Sequence, residues 1–186
     1  LSGRGMAVKR YRVFADANVL IRGVTFPRFP YEILRLAAKH EIVLVVSPSV
    51  LDDVRHYVGE LFPDHLPTLE AFLATALVEI VDEPTPEEVD ANRDLVRDVD
   101  DVPIALAAAK AEVDFLVSTD ADLTDVDEST EKLRQMMAPG RVMKVGAFLS
   151  EILGWDHNTL DAARRRWDEI EGNIWGQPSE QQDSSA

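Results

Sequence analysis

Hydrophobic positions along this chain fall into two alternating rhythms. Short, mostly apolar runs at 11–15, 42–46, 77–81, 114–118 and 141–145 have the length of strands, and the longer stretches between them repeat apolar residues at helical spacing. Ile33, Leu34 and Ala37 carry that spacing through a helix predicted over 31–39. Further helices are predicted over 49–60, 67–76, 104–111, 131–137, 148–153 and 158–172, and another is opened by Pro84-Thr85-Pro86-Glu87. Ser47-Pro48-Ser49 reads as a helix start, because serine can bond free first-turn amides and proline fits the first turn. The segment between the first strand and Tyr31, which holds Pro27 and Pro30, is expected to be a loop. Residues 42–46 are apolar without a break, as a strand must be when helices cover both faces of its sheet. The alternation therefore implies an α/β fold of three layers, α/β/α, around a mostly parallel central sheet.

A chain of 186 residues is one domain with room for a sizeable core. We assign it to 11–175, a core over 11–153 plus the C-terminal helix, and expect 1–10 and 176–186 to be disordered, since neither end carries a pattern to bury. Acidic residues outnumber basic ones by 34 to 19, a net charge of −15. Such a surface repels a nucleic-acid backbone except where metal ions or a local basic strip intervene, which argues against a protein that wraps a duplex. The absence of cysteine removes disulfides, thiolate zinc sites and thiol catalysis, and agrees with an expected cytoplasmic location. The longest apolar runs fall far short of the ~20 residues a bilayer requires, so no membrane association is expected.

In an open parallel sheet, ligands bind beyond the carboxyl ends of the strands. Asp16 directly follows the first predicted strand, and Thr119, Asp120 and Asp122 follow the fourth. Asp52 and Asp53 lie in the helix after the second strand, while Asp98, Asp100 and Asp101 stand at the start of the helix that feeds the fourth. Crowded carboxylates repel one another, and the usual remedy is a hard divalent cation, here Mg²⁺ or Mn²⁺. A cation so held lowers the pKa of bound water and stabilises the charge on a phosphodiester during in-line displacement. Each acid also has a plain reading: Asp16, Asp120 and Asp122 as turn residues, Asp101 as a helix cap, Asp52 and Asp53 as solvated first-turn residues. Independent caps, however, have no reason to gather at one end of one sheet.

Four ordered motifs carry these acids. Val13-Phe14-Ala15-Asp16-Ala17-Asn18-Val19-Leu20 is a hydrophobic strand ending in Asp-x-Asn-Val-Leu, and Ser47-Pro48-Ser49-Val50-Leu51-Asp52-Asp53-Val54 sets Asp53 before an aliphatic residue. Arg97-Asp98-Val99-Asp100-Asp101-Val102-Pro103-Ile104-Ala105 sets Asp101 ahead of an Ile-Ala helix, and Phe115-Leu116-Val117-Ser118-Thr119-Asp120-Ala121-Asp122-Leu123 closes the set. Together, over about 11–153, they resemble the PIN-domain family, the fold of many toxin ribonucleases in bacterial toxin–antitoxin pairs. Two departures stand out: Asp53 occupies a position where the family has Glu, and Ser118-Thr119-Asp120 replaces Thr-Gly-Asp. The resemblance implies a metal-dependent endoribonuclease that cleaves single-stranded RNA with Mg²⁺ or Mn²⁺. Asp16, Asp53, Asp101 and Asp120 would be catalytic, and these four with Asp122 would ligate the metal. Asn18 and Thr119 would orient a carboxylate or water beside them, and Asp98 would support the ligands from outside. A small antitoxin protein and a homodimer are the implied partners.

Arg22 and Arg28, in the expected loop after Asp16, are candidates to meet RNA phosphates. The run Arg164-Arg165-Arg166 reads first as a solvated helix face, with RNA or protein binding as the alternative. His40, His56, His65 and His157 show no metal-ligand spacing, and Trp155, Trp167 and Trp175 suggest a terminal helix docked on the core or on another subunit. Two other functional classes remain open: a non-catalytic PIN-like module that binds RNA or protein, for which Asp53 speaks, and, more remotely, a receiver-like domain. The latter would take phosphate on Asp16, with Thr119 and Lys144 as helper groups.

Overall fold

The computed structural model describes residues 9–174, so most of the two ends expected to be disordered, and Trp175, lie outside the described residues. Strands β1 (Arg12–Ala15), β2 (Val43–Val46), β3 (Val78–Ile80), β4 (Phe115–Ser118) and β5 (Arg141–Lys144) form one sheet. Their order is β3-β2-β1-β4-β5, and every neighbouring pair is parallel. β4 is buried along its whole length, and β1 and β2 are buried at their last three positions. Such central strands cannot alternate polar with apolar, which is why 42–46 has no polar residue.

Helices α1 (Ala17–Thr25), α2 (Phe29–Ala38), α3 (Pro48–Leu61) and α4 (Leu66–Thr75) carry the chain from β1 to β3. α5 (Pro86–Ala91) and α6 (Val102–Lys110) lead into β4, and α7 (Ala121–Thr124) and α8 (Glu128–Met137) lead into β5. α9 (Val145–Ala147) continues into a π-helical turn, Phe148–Ile152, and α10 (His157–Ile174) follows. The result is the three-layer α/β/α arrangement, with a sheet that is parallel throughout. Among the described residues no helix is long and apolar enough to cross a membrane.

The order of strands reverses at β1. The chain builds outward through β2 to β3, then returns to place β4 on the other side of β1, which opens a crevice at the carboxyl ends of β1 and β4. Receiver domains have the order 2-1-3-4-5, so the topology overturns the receiver-like reading.

Residues 17–25 are helix α1, not the loop expected between the first strand and Tyr31. Asp16 starts the helix by accepting the Val19 N–H at 2.9 Å, and Val19, Leu20 and Val24 bury its inner face. The helix ends at Phe26, which is extended ahead of Pro27. Gly23 hid the pattern, and its role is tertiary: a Cβ there would meet Leu34 Cδ1 at 2.7 Å and the Pro30 carbonyl at 3.0 Å. A larger residue there would have to displace the Leu34 side chain and crowd the Pro30 carbonyl, so glycine suits the close approach of α1 to α2.

The terminal helix docks through a carboxylate. Glu32, at the start of α2, is 0% exposed and accepts the Trp167 indole N–H at 2.9 Å and Arg166 Nη2 at 3.0 Å. Arg166 therefore leaves the arginine run to serve the core, whereas Arg164 stays exposed beside Asp161. Trp167 is buried, as the core reading of the tryptophans expected.

Candidate functional site

Asp16 emerges from β1 at the crevice and is 4% exposed. Its Oδ1 accepts the Val19 N–H, and its Oδ2 accepts the Ser118 hydroxyl. The plain reading of Asp16 as a local backbone-bonding residue thus holds, since it caps α1, but that bond engages only one of its two oxygens. Ser118, the last residue of β4 and fully buried, also accepts the Asp120 N–H at 2.9 Å. One hydroxyl therefore ties the end of β1 to the turn after β4. Thr119, the residue expected to do this, is partly buried, and among the described residues its side chain makes no hydrogen bond. The signal was present in the substitution of Ser118-Thr119-Asp120 for Thr-Gly-Asp, where the hydroxyl of Ser118 stands in the place of threonine.

Asp101 enters from the start of α6. It occupies the cap position but makes no side-chain cap bond, and its Oδ2 is buried without a hydrogen-bond partner. A buried acceptor left unpaired costs stability, so a cap is not what this side chain provides. Burial above all, then the charges of Asp120, Asp98, Asp16 and Asp122, raise its pKa to about 6. Burial also pushes the Asp16 carboxyl up, opposed by its bonds from Ser118 and Val19; Asp120 adds to the rise, and Arg22 offsets part of it. Two carboxyls pushed above their ordinary range in one crevice make it the candidate functional site.

Asp120 caps α7 by accepting the Asp122 N–H at 2.8 Å. Asp122, the next acid along, pairs with Arg97, whose Nη1 lies 2.8 Å from its Oδ1. Asp98 accepts the Asp100 N–H at 3.0 Å and shapes the turn Val99–Asp101 that presents Asp101. The structure thus brings Asp16, Asp98, Asp120 and Asp122 close enough for their charges to act on Asp101. Asp53 stands apart: exposed on α3, it lines a cleft of about 440 Å³ with Ser49, Glu83, Asp90 and Asp100. Asn18 is exposed in the first turn of α1. Arg22 sits in the last turn of α1, not in a loop, and Arg28 is taken up by Glu171 at 2.8 Å and by the Trp167 ring.

Among the described residues no three histidine, aspartate or glutamate side chains are grouped as a bound metal ion requires. The donor set nevertheless fits a hard cation. It offers only oxygen donors, one of them the partnerless Asp101 Oδ2, with negative charge in excess.

A family model described as PIN domain matches residues 12–122, more than half of the chain. The match begins at β1 and ends at Asp122, so it takes in all four acidic segments. VapBC2 from Rickettsia felis, solved bound to a DNA fragment from their promoter, is 17% identical over 72% of this chain and 98% of that chain, with a TM-score of 0.49. PAE2754 from Pyrobaculum aerophilum is 15% identical over 78% of this chain and 91% of that chain, with a TM-score of 0.50. Likeness at such identities is one of fold. No curated protein matches the sequence.

Proposed function

The chain belongs to the PIN-domain family, and from that premise we propose that it is a metal-dependent endoribonuclease acting on single-stranded RNA, the toxin of a toxin–antitoxin pair. The observation that carries this reading is Asp101, a half-buried carboxyl with an unpaired oxygen, raised to about 6 by burial, by Asp98 of its own segment and by acids from two other segments. Nothing in the fold needs a carboxylate there, and a cation would relieve the repulsion. Asp16, Asp101 and Asp120, joined by Asp122, would hold Mg²⁺ or Mn²⁺, and Asp53, which stands apart on α3, would reach the ion through water. When bound, the ion supplies charge neutralisation and water activation for attack on phosphorus.

The rest falls to the chain itself. Ser118 fixes the rotamer of Asp16 and, through the Asp120 N–H, the position of the second acid. Asp98 holds the turn that keeps Asp101 at the crevice. Fixing these groups in advance removes the reorganisation that a mobile set would require. The toxin role, the antitoxin and the homodimer follow the family pattern, and light scattering at micromolar concentration tests the dimer directly.

The test of the activity is cleavage of mixed single-stranded RNAs with Mg²⁺ or Mn²⁺, against EDTA and the Asp16→Asn and Asp101→Asn proteins. Cleavage that needs the metal and is lost in both variants is the expected result. Wild type and variants that behave alike would make a non-catalytic module the better reading, with Asp53 in place of Glu as its support.

A further inference from the structure

Arg97 opens the third acidic motif, four residues before Asp101, and its guanidinium reaches into the acid cluster. Nη1 donates to Asp122 Oδ1 at 2.8 Å, and Nη2 donates to Asp127 Oδ2 and to Ser129 Oγ, each at 3.3 Å. The side chain is nevertheless 57% exposed. It lines a shallow depression of about 600 Å³ together with Asp127, Glu128 and Ser129, next to the site.

Resting on the ribonuclease reading above, we propose that Arg97 binds a backbone phosphate of the RNA beside the cleaved one, exchanging Asp122 for it and freeing the Asp122 carboxylate for the cation. Three observations lead here. A chain with a net charge of −15 whose site is built from carboxylates needs a fixed cation to face a polyanion. Of the other arginines first considered for this, Arg166 is bound to buried Glu32, Arg28 lies against Glu171 and Trp167 of α10, and Arg22 is exposed on α1, whereas Arg97 already donates to an acid of the site, Asp122. The contacts of Arg97 also suit an exchange. An ion pair this exposed is held only weakly against water, so leaving Asp122 costs little. Nη2 stays anchored on Asp127 and Ser129 at the start of α8, which holds the guanidinium in place and leaves Nη1, once released by Asp122, to donate a charge-assisted hydrogen bond to a phosphate oxygen.

Two measurements test this: steady-state cleavage of a single-stranded RNA, and anisotropy of a labelled RNA across a salt titration with Ca²⁺ in place of Mg²⁺. Arg97→Ala should raise KM about tenfold, the effect of losing one charge-assisted contact, with kcat changed less than about threefold. The slope of log affinity against log salt should shrink by about 0.7, one phosphate on a single strand. Arg97→Lys should recover part of both. Arg164→Ala, which removes the same charge from an arginine paired with Asp161 on α10, should match wild type in both. A wild type that cleaves RNA while Arg97→Ala keeps its KM and salt slope would overturn the proposal and leave the nuclease standing, as would an equal loss in Arg164→Ala. A wild type that neither binds nor cleaves RNA overturns both readings together.

Discussion

Replacing Asp101 with asparagine should make the protein more stable at neutral pH, although it removes a residue proposed to hold the cation. In the native state its pKa is raised from 3.8 to about 6, chiefly by burial and then by the neighbouring acids. An acid whose native pKa exceeds its unfolded one favours folding while it is protonated. That advantage is complete below about pH 4 and lost as the pH rises through about 6, above which the native state carries the full penalty of the charge. About two pKa units at 1.36 kcal/mol each set a ceiling of about 3 kcal/mol. Because Asp101 is partly open to solvent, we take about 1–2 kcal/mol as the gain for asparagine at pH 8. For a chain of this size that is a rise in Tm of about 2–8 °C. The substitution breaks no cap bond, and the buried oxygen it replaces accepts no hydrogen bond. Urea or thermal unfolding at pH 8 and at pH 4 in EDTA measures the difference, which should be near zero at the lower pH. Mg²⁺ at ten times its Kd should then stabilise wild type by about 1.4 kcal/mol and the variant by much less. An Asp101→Asn protein no more stable than wild type at pH 8, or equally favoured at pH 4, would refute the account of the site as carboxylates held together against their repulsion.

Ser118→Ala removes the donor to Asp16 and the acceptor for the Asp120 N–H, and should weaken Mg²⁺ binding about 10–100-fold in calorimetric titration; an unchanged affinity would show that Asp16 is positioned without it. Glu32→Ala leaves the buried Trp167 N–H without its acceptor and takes the partner of partly exposed Arg166, and should cost about 3 kcal/mol in urea unfolding. Glu32→Gln, which keeps an acceptor, should cost less, and equal losses would contradict the hydrogen-bonded docking of α10. Gly23→Ala would improve α1 by helix propensity alone, yet the contacts of its Cβ with Leu34 and Pro30 should make it destabilising by about 1–3 kcal/mol. A stabilised Gly23→Ala protein would mean that α1 and α2 can part without penalty.

Much of this protein is written locally. An unbroken apolar run is what a strand covered on both faces requires, so 42–46 and the βα alternation announced the three-layer fold from single stretches of chain. The acids at the ends of the first and fourth strands, and the cluster ahead of α6, were legible for the same reason: a residue that ends a strand in a parallel sheet has only one end of the fold to occupy. Contact across the fold was not legible. Helix α1 was missed because glycine and flanking prolines break a helical pattern locally, and its justification lies in the approach of Leu34. Whether Asp101 caps or stands unpaired depends on neighbours 19 to 85 residues away, Asp16, Asp120 and Asp122, whose charges reach it only after folding. Arg166 turns inward because Glu32, far off in sequence, waits in the core, and Arg97 faces the site because β4 brings Asp122 and then α8 beside it. Periodicity and strand ends are properties of adjacent residues. Hydrogen-bond partners, burial and the fields that raise a pKa belong to groups that strand order brings together, and that order is decided by the packing of the whole chain.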